Sequence, residues 1–157
     1  MYKKLAVITA LLAGFFMAPA HAIVDTDIGV KAGMLSIDGD ASAAKQAGVV
    51  FNFDIIGMFG IEAELNTTLA DGDAGFGVDY NATQLGAYGV LMTPGPVYFK
   101  AKAGYLRTDV ELSGIGSDDD QEVAYGIGVG FTALEVEYTR TKWNDLDVDI
   151  ISASFKF

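Results

Sequence analysis

Six charged residues stand in three like-charged pairs: Glu62 and Glu64, Lys100 and Lys102, Glu135 and Glu137. The members of each pair are two residues apart, the interval that puts both side chains on one face of a β-strand. Such a set could form a gated ion path or a salt-bridge network. Charges in a low-dielectric interior must be paired or solvated, so a structural network plugging the interior is expected. Nucleophilic catalysis asks for more. A serine nucleophile needs an adjacent base, yet the only histidine is His21, there is no cysteine, and no serine stands beside a recognisable carboxylate or lysine partner. No enzymatic activity, no cofactor and no metal site are expected. Gly126-Ile-Gly128-Val-Gly130 has the look of a nucleotide-binding loop, which requires a helix N-terminus directly after it. Phe131-Thr-Ala and another alternating segment follow instead. These glycines read as small residues facing a crowded interior. Asp38-Gly-Asp40, Asp71-Gly-Asp73 and Asp118–Asp120 carry oxygen ligands suited to Ca²⁺ or Mg²⁺ but lack the EF-hand spacing. They read as solvated loop tips. Asn66-Thr-Thr68 and Asn81-Ala-Thr83 match the glycosylation pattern and read as strand residues.

The N-terminus sets the compartment. Lys3 and Lys4 precede the apolar run Leu5–Met17, and Ala20-His21-Ala22 is a small-x-small cleavage signature. This is the layout of a secretory signal peptide over 1–22, with cleavage after Ala22. The apolar run is shorter than the roughly 18–20 residues a spanning helix needs, and Pro19 interrupts its end. Residues 23–157 then form one domain. Without the two leader lysines, the ten basic residues of the chain fall to eight against 21 acidic ones. Such a domain will not bind nucleic acid or anionic lipid through simple electrostatics. With no cysteine, disulfide and thiol chemistry are excluded, and His21 departs with the leader.

The elements that position the charges are strands. Period-two alternation is clear in Phe59–Asn66, Val97–Ala103, Glu122–Phe131, Leu134–Thr139 and the end of the chain. Asp27–Ser36, Lys45–Asp54 and Tyr80–Met92 complete a set of eight. In Tyr80–Met92 both parities carry apolar residues, which leaves its facing open. Short turns at 56–58, 93–96 and 132–133 alternate with longer polar connections at 37–44, 70–79, 113–120 and 144–147. That asymmetry, with an even strand count, characterises outer-membrane barrels. Phe51, Phe53, Phe59, Phe99, Phe131, Phe155 and Phe157 gather at the short-turn ends, as an interfacial girdle would. Trp143 and Tyr138, near the other end of a strand, read as interface anchors. In a small barrel the lumen is filled by side chains, so the charged face points inward and the apolar face meets lipid, where every backbone group must be paired.

Ile151-Ser-Ala153-Ser-Phe155-Lys-Phe157 resembles the C-terminal assembly signal of outer-membrane barrels. Gly86-Ala-Tyr-Gly-Val90, the turn Thr93-Pro94-Gly95-Pro96 and Tyr98-Phe-Lys100-Ala-Lys102-Ala-Gly104-Tyr105 are similar to segments of the small eight-stranded barrels typified by the OmpA transmembrane domain and the OmpX/Ail group. The resemblance covers 23–157 and implies an all-β, eight-stranded antiparallel up-and-down transmembrane barrel in a bacterial outer membrane. It further implies lipid and lipopolysaccharide as surroundings, a monomer, and recognition by the barrel-assembly machinery through Ile151, Ala153, Phe155 and Phe157. Divalent cations at the acidic loops would bridge them to lipopolysaccharide phosphates. The function expected is a membrane-structural or surface-interaction role without catalysis. A narrow ion or small-solute pore, and a soluble periplasmic barrel holding an apolar ligand, are the alternatives.

Overall fold

A computed structural model describes residues 25–37, 43–56, 58–73, 79–112 and 116–157. The expected signal peptide and the aspartates Asp38 and Asp40 lie outside the described residues. Eight long strands are formed: β1 (Asp25–Ile37), β2 (Ala44–Ile56), β3 (Phe59–Ala70), β4 (Asp79–Met92), β5 (Val97–Leu112), β6 (Gly116–Phe131), β7 (Leu134–Trp143) and β8 (Leu146–Lys156). Gly72 and Asp73 continue the line of β3 as a two-residue strand against Tyr80 and Asp79. No helix of the described residues is long and apolar enough to cross a membrane.

Every strand pairs antiparallel with its neighbours in sequence, and β1 pairs with β8, so the sheet closes. Closure leaves no edge, the condition for placing a sheet in hydrocarbon. Paired residues can be followed around the wall from Thr26 through Phe53, Ile61, Gly89, Ala103, Tyr125, Arg140 and Asp149. Asp149 pairs with Ser36, so the path rejoins β1 ten residues beyond its start. Eight strands with this stagger tilt by about 40° and enclose a lumen just wide enough for side chains. The seam is tied by Phe157 N–H donating to Ile28 O at 2.8 Å and Ile28 N–H donating to Phe157 O at 3.3 Å.

Three connections differ from the sequence expectation. The β7–β8 link is a two-residue turn and not a longer loop, because Asn144 and Asp145 take φ of 48° and 67°. Asn and Asp tolerate that left-handed geometry, which matches the twist of a tight hairpin. Asp118–Asp120 lie in β6 and not in a loop, paired with Val110, Asp109 and Thr108 of β5. Asp73 belongs to the short strand. Over Ser117–Gln121 β6 is polar at every position, so alternation fades there while the backbone ladder continues.

The outer wall is apolar, with Val30, Met34, Ile61, Leu85, Phe99, Val123, Ile127 and Ile151 all exposed. Phe59, Phe99, Phe131, Phe155 and Phe157 are exposed on that wall towards the short-turn end. On β4 the even residues, Tyr80 to Val90, point inward. The lumen has two storeys. Towards the longer connections, Leu35, Tyr80, Leu106, Val110, Val148 and Ile150 form an apolar storey. Trp143 packs against this storey from inside and is not a lipid-interface anchor. Towards the short turns the lumen is charged.

Candidate functional site

Lys31 of β1, Glu62 and Glu64 of β3, Lys100 and Lys102 of β5, Glu135 and Glu137 of β7, and Lys156 of β8 all point into the lower lumen. Each is at most 8 % exposed. Four ammonium groups face four carboxylates, so the set is neutral. Lys156 bonds Glu135 at 2.8 Å, and Lys100 bonds Glu135 at 2.5 Å, Glu62 at 2.8 Å, and Glu137. Lys102 reaches Glu62 at 3.0 Å, Glu137 at 2.7 Å and Glu64 at 3.4 Å. Lys31 completes the chain to Glu137 at 2.9 Å and to Glu64. The pairs therefore form one connected network across five strands. Its cost in desolvation is offset because every charge but Lys156, which pairs with Glu135 alone, meets at least two partners.

Two tyrosines fasten the network. Tyr88 Oη donates to Glu64 at 2.7 Å, and Tyr98 Oη donates to Glu135 at 2.9 Å. The Lys102 ammonium also lies 3.9 Å from the centre of the Tyr88 ring, a cation–π contact in a desolvated setting. The glycines of β6 are the counterpart of these long side chains. A Cβ at Gly126 would stand 3.2 Å from Lys102 Cε, one at Gly128 would stand 3.6 Å from Lys100 Cε, and one at Gly130 would meet the Tyr98 ring. The Gly-x-Gly-x-Gly run is thus the floor over which β5 lays Tyr98, Lys100 and Lys102.

Glu62, Glu64 and Glu137 bring carboxylate oxygens close enough together to hold a metal ion. Lys31, Lys100 and Lys102 already stand among them, so the donor set is spent on ammonium groups. Between the two storeys lie Gln46, Asn66 and Gln84. Gln84 Nε2 donates to Thr108 Oγ1 at 3.3 Å, while the side-chain polar atoms of Gln46 and Asn66 have no partner among the described residues.

The structure brings together all six charged residues singled out from the sequence and adds Lys31, Lys156, Tyr88 and Tyr98. Period-two spacing revealed the pairs. Lys31 and Lys156 are single lysines between apolar residues, and Lys156 was legible only through its parity with Ser152 and Ser154. Ile151, Ala153 and Phe155 occupy the outer wall of β8, on the opposite face from Lys156, and Phe157, directly after the strand, is exposed as well.

The chain belongs to the family described as outer membrane protein beta-barrel domain, which matches residues 8–157. Solved structures share the fold. The Neisserial surface protein A is 14% identical, with a TM-score of 0.59 over 85% of this chain and 97% of that one. The outer membrane protein OprG of Pseudomonas aeruginosa is 10% identical, with a TM-score of 0.56 over 87% and 98%. Ail, the attachment invasion locus protein of Yersinia pestis, is 17% identical, with a TM-score of 0.54 over 85% and 97%. No curated protein matches the chain in sequence. The protein is an outer-membrane β-barrel of eight strands.

Proposed function

We propose that this barrel is a non-enzymatic, membrane-structural protein with an occluded lumen and an acidic outer rim. One observation carries the reading: the lumen is filled twice over, by a neutral network of eight charges and by an apolar storey. In barrels of this family the short turns face the periplasm and the longer connections face outward. The outer rim then presents Asp109, Glu111, Asp118 and Asp119, with Arg107 bonding Asp119 at 3.0 Å. Ail has been crystallised with the heparin analogue sucrose octasulfate. The acidic rim here suits cations, and divalent ions between it and lipopolysaccharide phosphates, better than a polyanion. Ile151, Ala153, Phe155 and Phe157 serve assembly, by offering a fixed apolar pattern on the outer wall of the closing strand.

Recording from purified protein in planar bilayers tests the occlusion, and the expected result is no steady openings. Sustained ion-selective conductance would replace this reading with a narrow pore. A deletion strain should gain detergent sensitivity; unchanged sensitivity would count against the structural role.

A further inference from the structure

The short-turn mouth of the lumen is not filled. Below the network lies a cavity of about 400 Å³, open to solvent on one side, lined by Asp27, Asn52, Asp54, Tyr98 and Lys156 together with residues of the two adjoining turns. Asp27 of β1 stands directly opposite Asn52 of β2, and Asp54 follows two residues along the same face. Cross-strand partners of this kind have Cβ atoms about 5 Å apart, so three oxygen-bearing side chains share one corner. Asn52 is 2 % exposed, yet neither polar atom of its carboxamide has a partner among the described residues. The lining sets two carboxylates against one ammonium, and that ammonium is held 2.8 Å from Glu135. Asp54 makes a contact of its own, but a carboxylate offers about four lone-pair directions and can serve a ligand as well.

We propose that this mouth is a binding site for a hydrated divalent cation, held by the carboxylates of Asp27 and Asp54 and the carboxamide oxygen of Asn52. The donors are all oxygens, which selects hard cations of the Ca²⁺ or Mg²⁺ class. The cavity is large enough for the ion to keep several waters, since each occupies roughly 30 Å³. A neutral solute would satisfy Asn52 but leave the acid of the lining unmatched. The site lies at the opposite end of the barrel from the acidic rim and is independent of it.

Terbium luminescence on the purified barrel tests the proposal, because Tyr98 lines the cavity and can sensitise a bound ion. The single tryptophan, Trp143, sits at the other end. Saturable Tb³⁺ emission excited through tyrosine and displaced by Ca²⁺ is expected. Asp27→Asn and Asp54→Asn should each weaken it about tenfold, since ligand charge sets affinity in oxygen sites. Asn52→Asp, which adds a charge, should tighten it. Heat-modifiable migration on gels establishes that each variant is folded. A barrel that gives no saturable signal overturns the proposal. So does emission excited only through Trp143 and abolished by neutralising Asp118, Asp119 and Asp120, or affinity unchanged in Asp27→Asn, Asp54→Asn and Asn52→Asp alike.

Discussion

The two storeys of the lumen solve the same packing problem by opposite means. The upper one fills space with Leu35, Leu106, Val110, Val148 and Ile150, whose value lies in volume and shape. The lower one fills it with four lysines and four glutamates, whose value lies in being matched. The upper storey should therefore tolerate a change of chemistry that keeps volume, and the lower one a change that keeps charge balance. Neither tolerates the other's substitution.

The largest expected effect comes from Lys100, which bonds three glutamates. Lys100→Met leaves buried carboxylates uncompensated and should cost about 3–5 kcal/mol, read by urea unfolding of the refolded barrel in lipid. Adding Glu62→Gln should recover part of that loss; a strictly additive double variant would show that the two do not act as one network. In the upper storey Leu106→Ala should cost about 3 kcal/mol by opening a cavity. Leu106→Met should cost under about 1.5 kcal/mol, so the same methionine separates the storeys when placed at 100 or at 106. Equal losses at the two positions would erase the distinction. Tyr88→Phe keeps the ring under Lys102 but removes the bond to Glu64, at about 2 kcal/mol. The smallest effect has the opposite sign. Trp143 Nε1 is buried without a partner among the described residues, so Trp143→Phe should raise stability by about 1 kcal/mol. A loss in the same unfolding assay would reveal a partner for that N–H, such as an ordered water.

How much of this the sequence disclosed depends on the storey. Where the lumen is charged, polar and apolar residues alternate cleanly, as in Phe59–Asn66 and Leu134–Thr139, and both facing and site residues could be read. Where the lumen is apolar, both faces of a strand are apolar and parity loses its meaning. That is why Tyr80–Met92 gave no facing, and why Trp143, at the outer end of β7, read as a lipid anchor. Tyr88 and Tyr98 were hidden for a related reason. An aromatic in a barrel strand is usually a girdle residue, and only its parity with Val90 or Lys100 marks it as internal. The tight turn at Asn144-Asp145 was concealed by the polar residues that follow it, which belong to β8. In the outer part of the β5–β6 hairpin, β5 keeps an inward apolar period through Leu106, Val110 and Leu112, while β6 over Ser117–Gln121 has none and is held by backbone pairing and the Arg107–Asp119 ion pair.

One further property follows from how the network's charges are distributed around the wall. Lysine on β1, glutamates on β3, lysines on β5 and glutamates on β7 alternate in sign, Lys156 on β8 adds a second lysine beside β1, and β2, β4 and β6 give the network no charge. A strand that slipped by one residue would turn its charge towards lipid, at about 2–4 kcal/mol for a lysine near the midplane, and would orphan partners on two other strands. An assembly error in any one of the charged staves is thus reported by staves that do not touch it. The network acts as a parity check on the five strands that carry it, so that only a barrel in which those are correctly threaded balances.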